Sequence, residues 1–227
     1  MKRLSLILAF ICGMTATSKL QAEVSKSLPE TIDPDRHYLF YLHGQIVEGS
    51  DGTPVHPNLG TYNYPKIVEA LEKEGFWVIS EIRRKNSNPG TYAGLISFYV
   101  DQLKEAGVPS SNITVVGGSK GGIIACYVSN KQQDPDINYV ILAGFFYSMK
   151  ADPKMLVSGR VLAIHDSADQ SNINPKYFLK KSKAVTQEKI VITRRGWGHA
   201  LIFEPRREWI SELVKWSGIK EEKKAKD

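Results

Sequence analysis

The sequence predicts an α/β fold: a doubly wound, mostly parallel sheet of about six strands with helices on both faces. Apolar strand-like runs alternate with amphipathic helical runs from residue 37 to the end. Such alternation, with right-handed crossovers, builds a sheet covered on both sides. The strand runs are near-continuously apolar, as strands buried on both faces must be. Strands are expected at 37–43, 76–82, 113–116, 139–145, 160–165 and 189–193. Helices are expected at roughly 63–74, 92–106, 120–131, 175–184 and 200–217. The helix at 92–106 ends as helices do, with Gly107 just past it and Pro109 soon after.

The start of the chain reads differently. Met1-Lys2-Arg3 precedes an apolar run from Leu4 to Met14, and small and polar residues follow to Ala22. This is the pattern of a signal peptide over residues 1–22, with an apolar core too short to span a bilayer. It predicts export to the periplasm or the medium, with no stable membrane insertion. Cys12 follows Ile11, where a lipid-attachment site needs a small residue. Residues 23–218 are expected to form a single domain, and 219–227 a charged, solvated tail.

Charge excludes some partners. The formal net charge is +6, and removing residues 1–22 takes Lys2, Arg3 and Lys19 and no acid, leaving +3. The basic residues form no long stripe, so nucleic acid is not implied. Of the two cysteines only Cys126 remains after processing, so no intrachain disulfide can form. It lies among Ile123, Ile124, Ala125 and Val128, which reads as a core thiol.

The most informative stretch follows the third strand. Ile113-Thr114-Val115-Val116 runs into Gly117-Gly118-Ser119-Lys120-Gly121, and a helical pattern begins. A Gly-x-Ser-x-Gly between strand and helix is the layout of a nucleophile elbow. The serine there takes a strained conformation, and a Cβ at Gly117 or Gly121 would strike the neighbouring strand or helix. A dinucleotide-binding turn fits less well, because Ser119 replaces its middle glycine and no acid closes the next strand. A P-loop needs Gly-Lys-Ser/Thr, and the order here is Ser-Lys-Gly. A plain glycine-rich turn is the remaining alternative. Ser119 is therefore a candidate nucleophile.

In an open α/β sheet the ligand binds outside the carboxyl ends of the strands. In strand order that edge carries His43-Gly44-Gln45, Arg83-Arg84-Lys85, Ser119, Phe146-Tyr147, Asp166 with Asp169, and Arg194-Arg195 with Trp197 and His199. A nucleophilic serine needs a base, an acid to orient that base, and donors for an oxyanion. His199, in a Gly-Trp-Gly-His loop before the last helix, is the best base. His165 at a strand end reads as buried, His37 and His56 as surface or loop residues, and His43 as a brace for its own turn.

These motifs together resemble the α/β-hydrolase family, over about Tyr38 to Trp216. The matching pieces are His43-Gly44, the run from Gly107 to Gly122, Val161-Leu162-Ala163-Ile164-His165 with its acids, and the Gly-x-Gly-His loop, in the order Ser, Asp, His. The resemblance implies Ser119 as nucleophile, His199 as base and Asp169 as acid, with Asp166 the competitor. It implies oxyanion donors in the backbone N–H groups of Gln45 and Lys120, and no cofactor or metal. Two departures stand out. Too few residues precede Tyr38 for the family's first two strands, and the segment from Phe145 to Arg160 is too short for a lid. An open, shallow pocket is expected.

The expected activity is hydrolysis of a small-molecule carboxylic ester through an acyl-enzyme. The alternatives are a serine peptidase or amidase, and a catalytically silent binding protein on the same scaffold. Arg83, Arg84, Lys85, Arg194 and Arg195 suggest an anionic substrate, since guanidinium groups suit carboxylates and phosphates. Their other reading is solvation or pairing with Glu81 and Glu204. Phe146, Tyr147 and Trp197 offer an apolar acyl site instead.

Overall fold

In a computed structural model, residues 27–152 and 155–219 are described. The expected signal peptide, residues 1–22, and all but the first residue of the expected tail, 219–227, lie outside the described residues. Among the described residues eight strands form: β1 (Tyr38–Leu42), β2 (Val55–His56), β3 (Gly60–Thr61), β4 (Trp77–Ile79), β5 (Ile113–Gly118), β6 (Asn138–Leu142), β7 (Ser158–Asp166) and β8 (Ala184–Thr193). The α-helices among the described residues are α1 (Tyr64–Lys73), α2 (Pro89–Glu105), α3 (Lys120–Gln132), α4 (Lys176–Lys181) and α5 (Arg207–Ser217). Six strands make one parallel sheet in the order β4-β1-β5-β6-β7-β8, and β2 and β3 form a small hairpin apart from it.

The sheet separates two cores. Ile96, Val100 and Leu103 of α2, Ile124 and Val128 of α3, and Phe178 and Leu179 of α4 pack on one face. Ile67, Val68 and Leu71 of α1 and Trp209, Ile210 and Leu213 of α5 pack on the other. Each fully buried side chain of this size contributes on the order of 1.5–3 kcal/mol. Cys126 is fully buried in the first core, and burial pushes its thiol up to about 12.

Element boundaries depart from the sequence pattern where local chemistry intervenes. The helix expected at 92–106 begins at Pro89, because Asn88 caps it by accepting the Thr91 N–H at 3.0 Å and proline suits the first helical position. The helix expected at 200–217 is two elements: a 3-10 turn over Gly198–Phe203, then α5. Pro205 divides them, forcing Glu204 into an extended conformation. The helix expected at 175–184 stops at Lys181, and β8 takes over from Ala184, earlier than 189. Ser182 makes that corner, donating to the Phe178 carbonyl at 2.8 Å and accepting the Val157 N–H at 3.0 Å.

The strand order fixes where a site can form. From β1 the chain crosses to β4 on one side; from β5 it proceeds to β6 on the other. The carboxyl ends of β1 and β5 therefore flank the topological switch point, where the crossovers diverge and leave a crevice. The turn at Gly44 and the turn at Ser119 stand on its two sides.

Two glycine substitutions test this packing. Gly94 lies inside α2, and a Cβ there meets nothing within 4 Å. Gly94→Ala should stabilise the protein by about 0.5–1 kcal/mol in urea unfolding. A Cβ on Gly121 would stand 1.8 Å from the Leu42 carbonyl oxygen. Gly121→Ala should cost more than about 4 kcal/mol or abolish folding; wild-type stability would contradict the packing of α3 on β1.

Candidate active site

The turn from β5 into α3 leaves no room for side chains at its glycines. A Cβ on Gly117 would lie 2.1 Å from the Gly121 carbonyl oxygen, so strand and helix touch through backbone alone. Ser119 between them has φ 53° and ψ −119°, a conformation that costs a non-glycine residue on the order of 1–3 kcal/mol. Its N–H is held by the Leu142 carbonyl at 2.9 Å, and its own carbonyl receives the N–H groups of Gly122 and Ile123. These bonds fix the strained residue and leave its side chain at the crevice.

Ser119 Oγ lies 3.0 Å from Nε2 of His199, and Nδ1 of that ring lies 2.7 Å from Oδ2 of Asp169. The carboxylate accepts the Nδ1 proton, so Nε2 carries the lone pair and accepts from the serine hydroxyl. Three groups spread over 80 residues meet here. Burial alone would raise the Asp169 carboxyl, but hydrogen bonds from His199 and Ser171 hold it below its ordinary value.

Asp166 does something else. It is fully buried, and its Oδ2 accepts the Thr193 hydroxyl at 2.7 Å and the Arg195 N–H at 3.1 Å. Its Oδ1 accepts the N–H groups of Ala168 at 3.0 Å and Gly198 at 3.2 Å. It thus ties the loop carrying Asp169 to the loop carrying His199. Burial pushes its carboxyl up, and these four bonds more than reverse that.

Two supports of Asp169 carry no motif in the sequence. Ser171 Oγ donates to Asp169 Oδ1 at 2.6 Å, and Asn172 Nδ2 donates to Asp169 Oδ2 at 2.7 Å. Asn172 also accepts the Phe145 N–H at 3.1 Å, linking the acid to the segment that follows β6. The polar run Ser167-Ala168-Asp169-Gln170-Ser171-Asn172 was their only signal.

Across the crevice, a Cβ on Gly44 would stand 3.6 Å from Ser119 Cβ, so this turn lies against the candidate nucleophile. Gln45 opens a 3-10 turn and Lys120 opens α3. A first helical residue has no intrahelical carbonyl for its N–H, which leaves both groups available to a ligand oxygen. His43 is a brace. Its Nε2 accepts the Arg83 N–H at 3.0 Å, so its Nδ1 proton goes to the Gly44 carbonyl at 2.8 Å.

The basic residues disperse. Arg83 is buried: its Nη2 donates to the His43 carbonyl at 2.5 Å and its Nε pairs with Glu48 at 3.4 Å. It is a structural residue, not a substrate anchor, and its partner is Glu48 rather than Glu81 or Glu204. Arg195 pairs with Glu208 at 3.2 Å and faces a groove between β8 and α5 shared with Arg207 and Glu212. Arg84, Lys85 and Arg194 are exposed. Of the aromatic candidates, Phe146 sits 6.2 Å from the His199 ring, Trp197 is stacked by Arg206 at 4.1 Å, and Tyr147 is 63% exposed under Lys150. Phe146 alone is brought beside the ring. Among the described residues, no group of His, Cys, Asp or Glu comes together as a metal site. No helix there is long and apolar enough to cross a membrane.

No protein-family model and no curated protein matches this chain. Solved structures do. Est1E from Butyrivibrio proteoclasticus, with ferulic acid bound, is 15% identical, with 83% of this chain and 91% of that one covered and a TM-score of 0.54. SOBER1 from Arabidopsis thaliana is 13% identical, covering 81% and 98%, with a TM-score of 0.54. A lipase-esterase related protein from Clostridium acetobutylicum is 18% identical, covering 82% and 97%, with a TM-score of 0.52.

The His43 brace has a consequence for acid stability. Burial, then the Arg83 charge, lowers its ring from an ordinary 6.5 to about 3. The unfolded chain takes up this proton near 6.5 and the native state does not until about 3, so stability is fully present above that window and falls as pH drops through it. The slope approaches about 1.4 kcal/mol per pH unit. Urea unfolding at several pH values should show His43→Asn losing close to one proton from the slope between about pH 6 and 5. An unchanged slope would mean that the ring is protonated in the native state.

Proposed function

We propose that this chain, which has the α/β-hydrolase fold, is a serine hydrolase that cleaves small carboxylic esters through an acyl-enzyme. The observation that carries this reading is the relay from Ser119 Oγ through His199 to Asp169, at 3.0 and 2.7 Å, on a strained turn. A binding protein has no use for a serine held at positive φ with a histidine in line with its hydroxyl.

Ser119 Oγ attacks the ester carbonyl carbon while His199 Nε2 takes its proton. Asp169 holds the ring in the reactive tautomer and stabilises the imidazolium. The carbonyl oxygen, now an oxyanion, receives the N–H groups of Gln45 and Lys120. Collapse of the tetrahedral adduct expels the alkoxide, which takes the proton back from His199, and leaves an acyl group on Ser119. Water then repeats the sequence with His199 again as base, releasing acid and free serine. Phe146 beside His199 supplies apolar surface for the acyl or leaving group. With Arg83 buried and Arg195 paired to α5, a neutral ester is favoured over an anionic one. The signal-peptide pattern supports action outside the cytoplasm.

Purified protein should hydrolyse p-nitrophenyl acetate and be labelled by a fluorophosphonate probe at Ser119; Ser119→Ala should lose both with its fold intact. Asp169→Asn should lower kcat by on the order of 10⁴. Asp166→Asn should lower it less than about tenfold while costing roughly 1–3 kcal/mol of stability, because an amide cannot accept all four donors. Near-normal turnover in Ser119→Ala would sink the reading, and reversed aspartate effects would exchange the two roles.

A further inference from the structure

We propose that Glu48 is a positioning residue whose ion pair with Lys120 clamps together the two backbone segments that carry the oxyanion donors. The inference rests on the hydrolase reading above and deepens it. Glu48 closes the short turn that Gln45 opens, and its backbone N–H returns to the Gln45 carbonyl at 3.0 Å. Its side chain is 1% exposed. Lys120, the residue after the nucleophile, brings Nζ to 2.7 Å from Glu48 Oε1 and 2.9 Å from Oε2. The pair therefore joins the first turn after β1 to the first residue of α3, 72 positions later.

The geometry suits a clamp. Oxyanion donors must stand about 2.7–3.1 Å from where charge develops. Both donors here are backbone groups, and no rotamer change can re-aim them. Their separation is set by how the Gly44–Gln45 turn sits against the start of α3. On one side the two segments touch at Gly44 and Ser119. On the other, the Glu48–Lys120 pair holds them. Arg83 and Ser87 steady the clamp, with Arg83 Nε 3.4 Å and Ser87 Oγ 2.5 Å from Glu48 Oε1. Arg83 also grips the His43 carbonyl, the residue before Gly44.

Stability alone explains the arrangement poorly, because a buried ion pair seldom stabilises more than well-packed apolar groups of the same volume. Burial pushes the Glu48 carboxyl up; the hydrogen bonds from Lys120 and Ser87 and the Lys120 and Arg83 charges outweigh this and keep it ionised. Two cations face one carboxylate beside the site, so a neutral side chain at 48 would leave them uncompensated.

The test uses Lys120→Met, which opens the clamp but keeps the Glu48–Arg83 pair, with Glu48→Gln and Lys120→Arg beside it. With p-nitrophenyl acetate, kcat in Lys120→Met and Glu48→Gln should fall about 10–100-fold, less than loss of a donor outright, while KM stays within about threefold. The inhibition constant of benzeneboronic acid, which forms a tetrahedral adduct on the serine, should rise in parallel with the fall in kcat/KM. Lys120→Arg should recover most of the rate, and the double variant Glu48→Gln/Lys120→Met should be no worse than the poorer single one. A purely structural pair would lower Tm and leave kcat and the boronate constant of the folded protein unchanged; that result in Lys120→Met overturns the clamp. Wild type that neither turns over esters nor takes a fluorophosphonate overturns the hydrolase reading and the clamp together. Ser119-dependent turnover with an indifferent Lys120→Met overturns the clamp alone.

Discussion

Everything at this site depends on the backbone contact between β1, β5 and the start of α3. The carbonyl of Leu42 presses on Gly121, and the carbonyl of Gly121 presses on Gly117, at distances no Cβ could share. Because the helix enters so close to two adjacent strands, Ser119 has no relaxed conformation open to it and stands with φ at 53°. The same closeness brings the Gly44 turn against the serine. Ser119, the Gly44 turn and the N-terminus of α3 are therefore placed by one packing event rather than three.

The two aspartates after β7 show how burial and partners divide labour between like residues. Asp166 faces four donors and no histidine, and its work is to bind two loops together. Asp169, three residues on, faces His199, Ser171 and Asn172. Nothing in their side chains separates them. What separates them is that Asp166 still belongs to β7, paired with Thr193 of β8, whereas Asp169 lies past the turn that its own N–H closes onto the Asp166 carbonyl.

Charge shows the opposite lesson. Five basic residues follow strands on the carboxyl edge of the sheet, and a substrate anion is a natural inference from that. Arg83 instead turns inward, because His43 and Glu48 offer it a carbonyl and a carboxylate in a site from which water is excluded. Glu48, unremarked in the sequence, organises more of the surroundings than any of the arginines. A buried carboxylate needs compensating charge and donors, and the Arg83 and Lys120 cations and the Ser87 hydroxyl meet on it.

The sheet, its two-sided covering, the elbow and the pairing of Ser119 with His199 were legible because each rests on local pattern. Apolar runs report burial, glycines at 117 and 121 report a turn without room, and a histidine in a glycine loop reports a ring carried past the end of a strand. Boundaries set by single side chains were less legible. Asn88 extended a helix, Pro205 divided one, and Ser182 ended another. Beyond these, the sequence could not decide which aspartate meets the histidine, that Ser171 and Asn172 support it, or that Glu48 reaches Lys120. Those contacts join residues brought together only when β1, β5, β7 and β8 align in one parallel sheet. Their distances follow from the register of that sheet, a property of the whole chain and not of any segment of it.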